Sequence, residues 1–110
     1  MTLTISIRAR HLELPSVHHD AIARRLDFAL ARLSTSIRDV DCVVTDINGP
    51  RGGLDKHVRL RVRGHAGSMI LIDDLGDDLM TTIGRAADRL QRAAIRVFAR
   101  RRRFAPDPLA

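Results

Sequence analysis

Six arginines carry most of the chemistry open to this chain. Arg85, Arg89, Arg92, Arg96, Arg100 and Arg103 follow one another at steps of 4, 3, 4, 4 and 3. On a helix turning about 100° per residue, those steps hold all six within an arc of about 80°. Like charges on neighbouring turns repel, each i,i+4 pair costing a few tenths of a kcal/mol. The stripe is therefore expected to serve a partner rather than the fold, since Glu or Gln would serve equally as helix formers. Guanidinium groups grip phosphate bidentately and stay charged at every physiological pH, so that partner is expected to be an RNA backbone. Cations at a helix C-terminus also meet the macrodipole, which accounts for Arg100 to Arg103 but not for Arg85, Arg89 or Arg92. Arg24, Arg25 and Arg32 belong to an earlier helix and are expected to widen the basic surface if the two helices lie side by side. Asp20 and Asp27 partly cancel them. Arg59, Arg61 and Arg63 alternate along a strand, where cross-strand pairs with Asp39 or Asp41 are at least as natural as RNA contact.

Other chemistries lack their residues. His18 and His19 are adjacent, so on a helix they point about 100° apart and chelate one ion poorly. Asp73, Asp74, Asp77 and Asp78 lack the ligand spacing and central glycine of a calcium loop, and are expected to end a strand and cap a helix. The glycines of Gly49-Pro50-Arg51-Gly52-Gly53 carry no GK[ST], so this is not a phosphate-cradling loop. Cys42 sits between apolar neighbours with no CxxC partner and reads as a small core residue. No catalytic constellation is found, and no enzyme activity, cofactor or metal is expected.

The charge is concentrated in one element. Between Arg85 and Arg103 lie eight arginines and one acid, a sum of +7, whereas the other 11 basic and 12 acidic residues sum to −1. A nearly neutral body with one basic terminal element is the footprint of a polyanion partner. Trp and Tyr are absent and Phe28, Phe98 and Phe104 are the only aromatics, which argues against stacking platforms for single-stranded bases. A lone cysteine excludes an internal disulfide and points to a reducing compartment. The N-terminus alternates, with Arg8 and Arg10 where a signal peptide would be apolar. No apolar run reaches the roughly 18 residues of a membrane span. The cytoplasm is the expected location.

The elements that must position these groups follow from periodicity. Leu3, Ile5 and Ile7 alternate with polar residues as a half-buried strand. Pro15-Ser16 opens a helix with Ser16 as its expected N-cap, and Ile22, Leu26, Ala29, Leu30 and Leu33 form its apolar stripe. Ile37 to Ile47 is a strand burying Val40, Cys42 and Val44, and a loop follows at Asn48–Gly53. Val58, Leu60 and Val62 alternate along a third strand, and Gly64 to Ser68 connects it to a fourth over Met69–Asp73. The last helix is expected from about Asp78 to about Arg102, capped by Asp77 or Asp78. Its apolar line is Leu79, Ile83, Ala86, Ala87, Leu90, Ala93, Ala94 and Val97. The expectation is a single α+β domain over residues 1–104 with a disordered tail at 105–110. Its order is β-α-β-β-β-α, a four-stranded mixed sheet with two helices packed on one face and the other face left to solvent.

That element order, together with the last helix, resembles the ribosome hibernation-promoting factor family, the ribosome-associated translation inhibitors. The family's second helix typically opens Asp-x-Tyr-x-x-Ile-Asp and continues Asp-Lys-Leu-x-Arg-Gln. Asp78, Ile83, Asp88, Leu90 and Arg92 match, and Arg89 keeps the charge of the lysine. Met80 stands at the aromatic position and Gly84 at the second acid, and the Gly49–Gly53 loop departs from the family's short hairpin, as in a divergent member. The resemblance implies binding to the decoding region of the small ribosomal subunit and its rRNA, excluding mRNA and tRNA. It also implies the short family type, without the C-terminal dimerisation domain. A monomer with no membrane or DNA partner is expected. Two further readings stay open at the level of sequence: a general structured-RNA-binding module, and an adaptor whose basic helix docks on an acidic protein.

Overall fold

The computed structural model describes residues 3–48 and 55–99. The strands are β1 (Ile5–Arg10), β2 (Ile37–Asp46), β3 (Lys56–Gly64) and β4 (Met69–Gly76), and the helices are α1 (Ser16–Leu30) and α2 (Leu79–Ala94). They form one sheet in the order β1-β2-β3-β4. β1 lies parallel to β2 across the α1 crossover, and the β2–β3 and β3–β4 pairs are antiparallel. This is the expected α+β arrangement. The Gly49–Gly53 loop, the arginines from Arg100 to Arg103 and the expected tail lie outside the described residues.

Alternation decides which face of the sheet is covered. Val40, Cys42 and Val44 of β2, Val58, Leu60 and Val62 of β3, and Ile70 and Ile72 of β4 all point to the helical side and are buried. The stripes of α1 and α2 close over them: Ile22, Leu26 and Leu30 from one, and Ile83, Ala86, Ala87 and Leu90 from the other. Each fully buried Leu or Ile here contributes about 1.5–3 kcal/mol relative to exposure. α2 lies across β3 and β4, and α1 packs beside α2.

The ends of the helices differ from expectation in instructive ways. Pro15, not Ser16, occupies the N-cap of α1, and its carbonyl accepts from the amides of His18 and His19 at 3.0 Å. A proline already at φ −57° launches the helix from an extended ψ, which leaves Ser16 inside the first turn without a capping bond. Beyond Leu30 the chain tightens into a 3-10 segment, Ala31–Ser36. Asp78 caps α2 as expected, its carboxylate accepting from the Thr81 amide at 2.9 Å. That bond holds the Asp78 carboxyl below the usual carboxylate range.

β4 runs three residues past the expected end, to Gly76. Asp73 and Asp74 do not terminate it, because each has an arginine partner on its own face of the sheet. Gly76 is needed at the close, since a Cβ there would sit 2.1 Å from the Thr82 hydroxyl oxygen. After Ala94 the last helix widens into a π-helical segment, Ile95–Ala99. A π turn advances each residue by less than the α-helical 100° or so, which swings Phe98 back toward the core. Phe98 is buried over Gly64, where an added Cβ would meet its ring at 2.6 Å. Regular α-helical spacing already puts Phe98 about 20° from Ala87 and about 40° from Ala94, at the margin of the apolar line, from which the sequence reading omitted it.

Candidate nucleic-acid interface

The arginine stripe divides into two parts. The amide of Gly64 donates to the Ser68 carbonyl at 2.8 Å and closes the β3–β4 turn. In an antiparallel ladder of that register, Met69, Leu71, Asp73 and Leu75 turn their backbone groups away from β3, toward the free edge of the sheet. Arg85 and Arg89 reach around that edge. Arg85 pairs bidentately with Asp74 and also donates to the Leu75 carbonyl at 2.9 Å. Arg89 donates to the Asp73 carbonyl at 2.8 Å and lies 3.6 Å from the Asp74 carboxylate. The Leu75 amide is taken by Asp74 at 2.8 Å. Arg85 holds the Asp74 carboxyl below its usual range, and the carboxylate in turn raises the guanidinium.

These contacts correct one expectation. The stripe does have a folding role at Arg85 and Arg89, which close half of an edge strand that would otherwise template pairing with another chain. Their side chains leave α2 on its β4 flank, so the wheel put the charges lateral to the core where an acid in β4 meets them.

Arg92 and Arg96 are different. Both are exposed, Arg92 on α2 and Arg96 in the π-helical segment that follows it, and neither has a partner among the described residues. Arg24 and Arg32 on the outer side of the first helical segment are likewise exposed and unpartnered among those residues. The helices lie side by side as the wider surface required. Arg25 joins them by an ion pair to Asp88. Asp20 pairs with His19, at 3.8 Å, rather than with Arg24. The outer surface of the helical layer thus carries Arg24, Arg32, Arg92 and Arg96 with their hydrogen-bonding forks open. Such groups bind an anion without first giving up a carboxylate.

The open face of the sheet is built the opposite way. Asp39 stands across from Arg63 and Asp41 across from Arg61, while Arg59 faces Asp73. Arg63 meets Asp39 at 2.7 Å, Arg59 meets Asp73 at 2.9 Å, and Arg8 and Arg61 share Asp41 at 3.1 and 3.4 Å. Arg63 and Arg59 draw the Asp39 and Asp73 carboxyls below the usual range. Arg8, Arg59, Arg61 and Arg63 each meet a carboxylate, as the sequence led one to expect for Arg61 and Arg63. Arg10 at the end of β1 is exposed with no partner among the described residues. The open concavity of about 460 Å³ on this face is lined by Asp41 as well as by Arg8, Arg10, Arg59 and Arg61. An anion entering it meets a carboxylate.

The remaining candidates add little chemistry. Cys42 is fully buried, and burial pushes its thiol up to about 12, far from a nucleophile's range. His18 and His19 are exposed on the first turn of α1. No helix among the described residues is long and apolar enough to cross a membrane. One aromatic departs from expectation: Phe28 is 76% exposed. Its place on the helix wheel, opposite Ile22 and Leu26, was legible in the sequence, but aromatic composition alone hid it.

No family model and no curated protein sequence matches the chain. Solved structures do. The N-terminal domain of Thermus thermophilus protein Y superposes with a TM-score of 0.69 at 19% identity, covering 87% of this chain and 98% of that one. A ribosomal subunit interface protein from Coxiella burnetii superposes with a TM-score of 0.70 at 16% identity, covering 88% and 99%. The chain therefore has, over nearly all its described length, the fold of protein Y's N-terminal domain and of that ribosomal subunit interface protein.

Proposed function

We propose that this protein is a ribosome-associated hibernation factor. It binds rRNA in the decoding region of the small subunit through the outer surface of its helical layer, and so excludes mRNA and tRNA. One observation carries the reading: Arg24, Arg32, Arg92 and Arg96 have no partner among the described residues and lie on one layer, whereas Arg8, Arg59, Arg61 and Arg63 of the sheet and Arg85 and Arg89 at the β4 edge each meet a carboxylate. The fold shared with a ribosomal subunit interface protein supports the ribosome as the source of that RNA. So do the matches at Asp78, Ile83, Asp88, Leu90 and Arg92. Structured RNA is recognised largely through shape and phosphate contacts, which suits a rigid helical face.

Sedimentation of the tagged chain with purified small subunits through a sucrose gradient tests the proposal. Co-migration with the small subunit is expected, lost steeply as salt is raised and resistant to excess bulk duplex RNA. Free competition by duplex RNA would make this a general RNA-binding module. Complexes that survive RNase would make it a protein adaptor.

A further inference from the structure

Phe28 is the most exposed large apolar side chain among the described residues, at 76%. It stands on the outer face of α1, four residues after Arg24 and four before Arg32. Arg24 lies one α-helical turn before the ring, a step of four that rotates about 40° and rises about 6 Å. Arg32 follows it in the 3-10 segment after Leu30, so an exposed guanidinium-bearing side chain stands on either side of the ring along the chain. Neither arginine has an ion pair, and neither stacks on the ring, among the described residues. The phenyl group is largely uncovered by the described residues.

An isolated exposed apolar residue needs no explanation. A bare aromatic ring between two bare guanidinium groups is a different object. A protein partner covering it would have to bring acids for both arginines or bury them unpaired. A nucleotide strand presents the complementary set, with a flat π-face on the base and phosphates on either side. Every base has such a face, so stacking of this kind does not depend on sequence.

We propose that Phe28 is a stacking platform for one unpaired base of the bound RNA, with Arg24 and Arg32 taking phosphates of the same strand on either side. This rests on the RNA-binding reading above and adds a single-stranded or bulged nucleotide to the structured RNA it requires.

The chain has no tryptophan. Phe28→Trp in the full chain therefore gives one indole reporter at the site. The probes are an RNA hairpin with a loop of unpaired adenines and the same stem as a blunt duplex. Indole fluorescence should be quenched by the hairpin and unaffected by the duplex. Phe28→Ala should weaken hairpin binding about tenfold, the loss of one stacked base, with the salt slope unchanged. Circular dichroism should show Phe28→Ala folded, since the ring lies outside the buried core. If the wild-type chain binds the hairpin but Phe28→Ala binds it equally and the indole is not quenched, the stacking site is refuted and the RNA reading stands. If the wild-type chain binds neither RNA, the stacking of a generic unpaired base is refuted, and the RNA reading is decided by sedimentation with the small subunit. Sedimentation equilibrium without RNA covers a second copy as the occupant: a dimer dissolved by Phe28→Ala overturns the site.

Discussion

Arg85 holds Asp74 with both prongs of its guanidinium, Nε to Oδ2 at 2.9 Å and Nη2 to Oδ1 at 3.0 Å. The same Nη2 donates to the carbonyl of Leu75, the next residue along β4. One side chain of α2 thus fixes the helix to the sheet and closes part of an open strand edge. Arg85→Gln should lower the thermal midpoint and promote concentration-dependent association through β4, read by light scattering. Small-subunit affinity should keep its salt slope. A variant as stable as wild type, with a slope one unit shallower, would return Arg85 to the RNA-contacting set.

The opposite behaviour is expected of Arg92 and Arg96, which have no role in holding the fold among the described residues. Gln retains helix propensity close to that of Arg, so the Arg92→Gln/Arg96→Gln pair should melt like the wild type. If each meets one phosphate, the slope of log K against log salt becomes shallower by roughly 2 units, and small-subunit binding weakens. Arg59→Glu with Arg61→Glu, on the self-paired sheet face, should change RNA binding less. A larger loss from the sheet pair would mean that the interface is on the other side of the molecule.

Acid should loosen both the sheet pairs and the start of α2, where Asp78 is the cap. Asp39, Asp73 and Asp74 all have folded-state pKa values lowered by arginine partners. A depressed carboxyl binds fewer protons folded than unfolded, so its contribution is present above an unfolded value of about 4 and is lost as pH falls below that. Thermal midpoints should therefore be flat near neutrality and drop as the pH passes below about 4. Asp74→Asn should flatten the drop. An acid limb identical to that of wild type would show that the Asp74 pair contributes nothing to stability.

Leu90 lies at the centre of the α2 apolar line and is fully buried. Leu90→Ala should cost about 2–5 kcal/mol in chemical denaturation, through lost transfer energy and the cavity left behind. A smaller loss would show that α2 settles into the space.

The alternation of Val58, Leu60 and Val62 and the helical spacing of Ile83, Ala86, Ala87 and Leu90 determined the sheet, its covered face and the α2 line, because local period and burial are the same fact read twice. The sequence also determined that a basic element exists and which residues compose it. Only the tertiary structure decided what each arginine does. Asp74 is 11 residues from Arg85, and Arg25 is 63 from Asp88. Whether a charge is free or neutralised depends on such distant partners, which spacing along one element does not contain. The same holds for Phe98, at the margin of the α2 line, whose place over Gly64 is a contact with a distant strand. It holds also for Phe28, which stays exposed near Arg24 and Arg32 because no other described element folds over the outer face of α1.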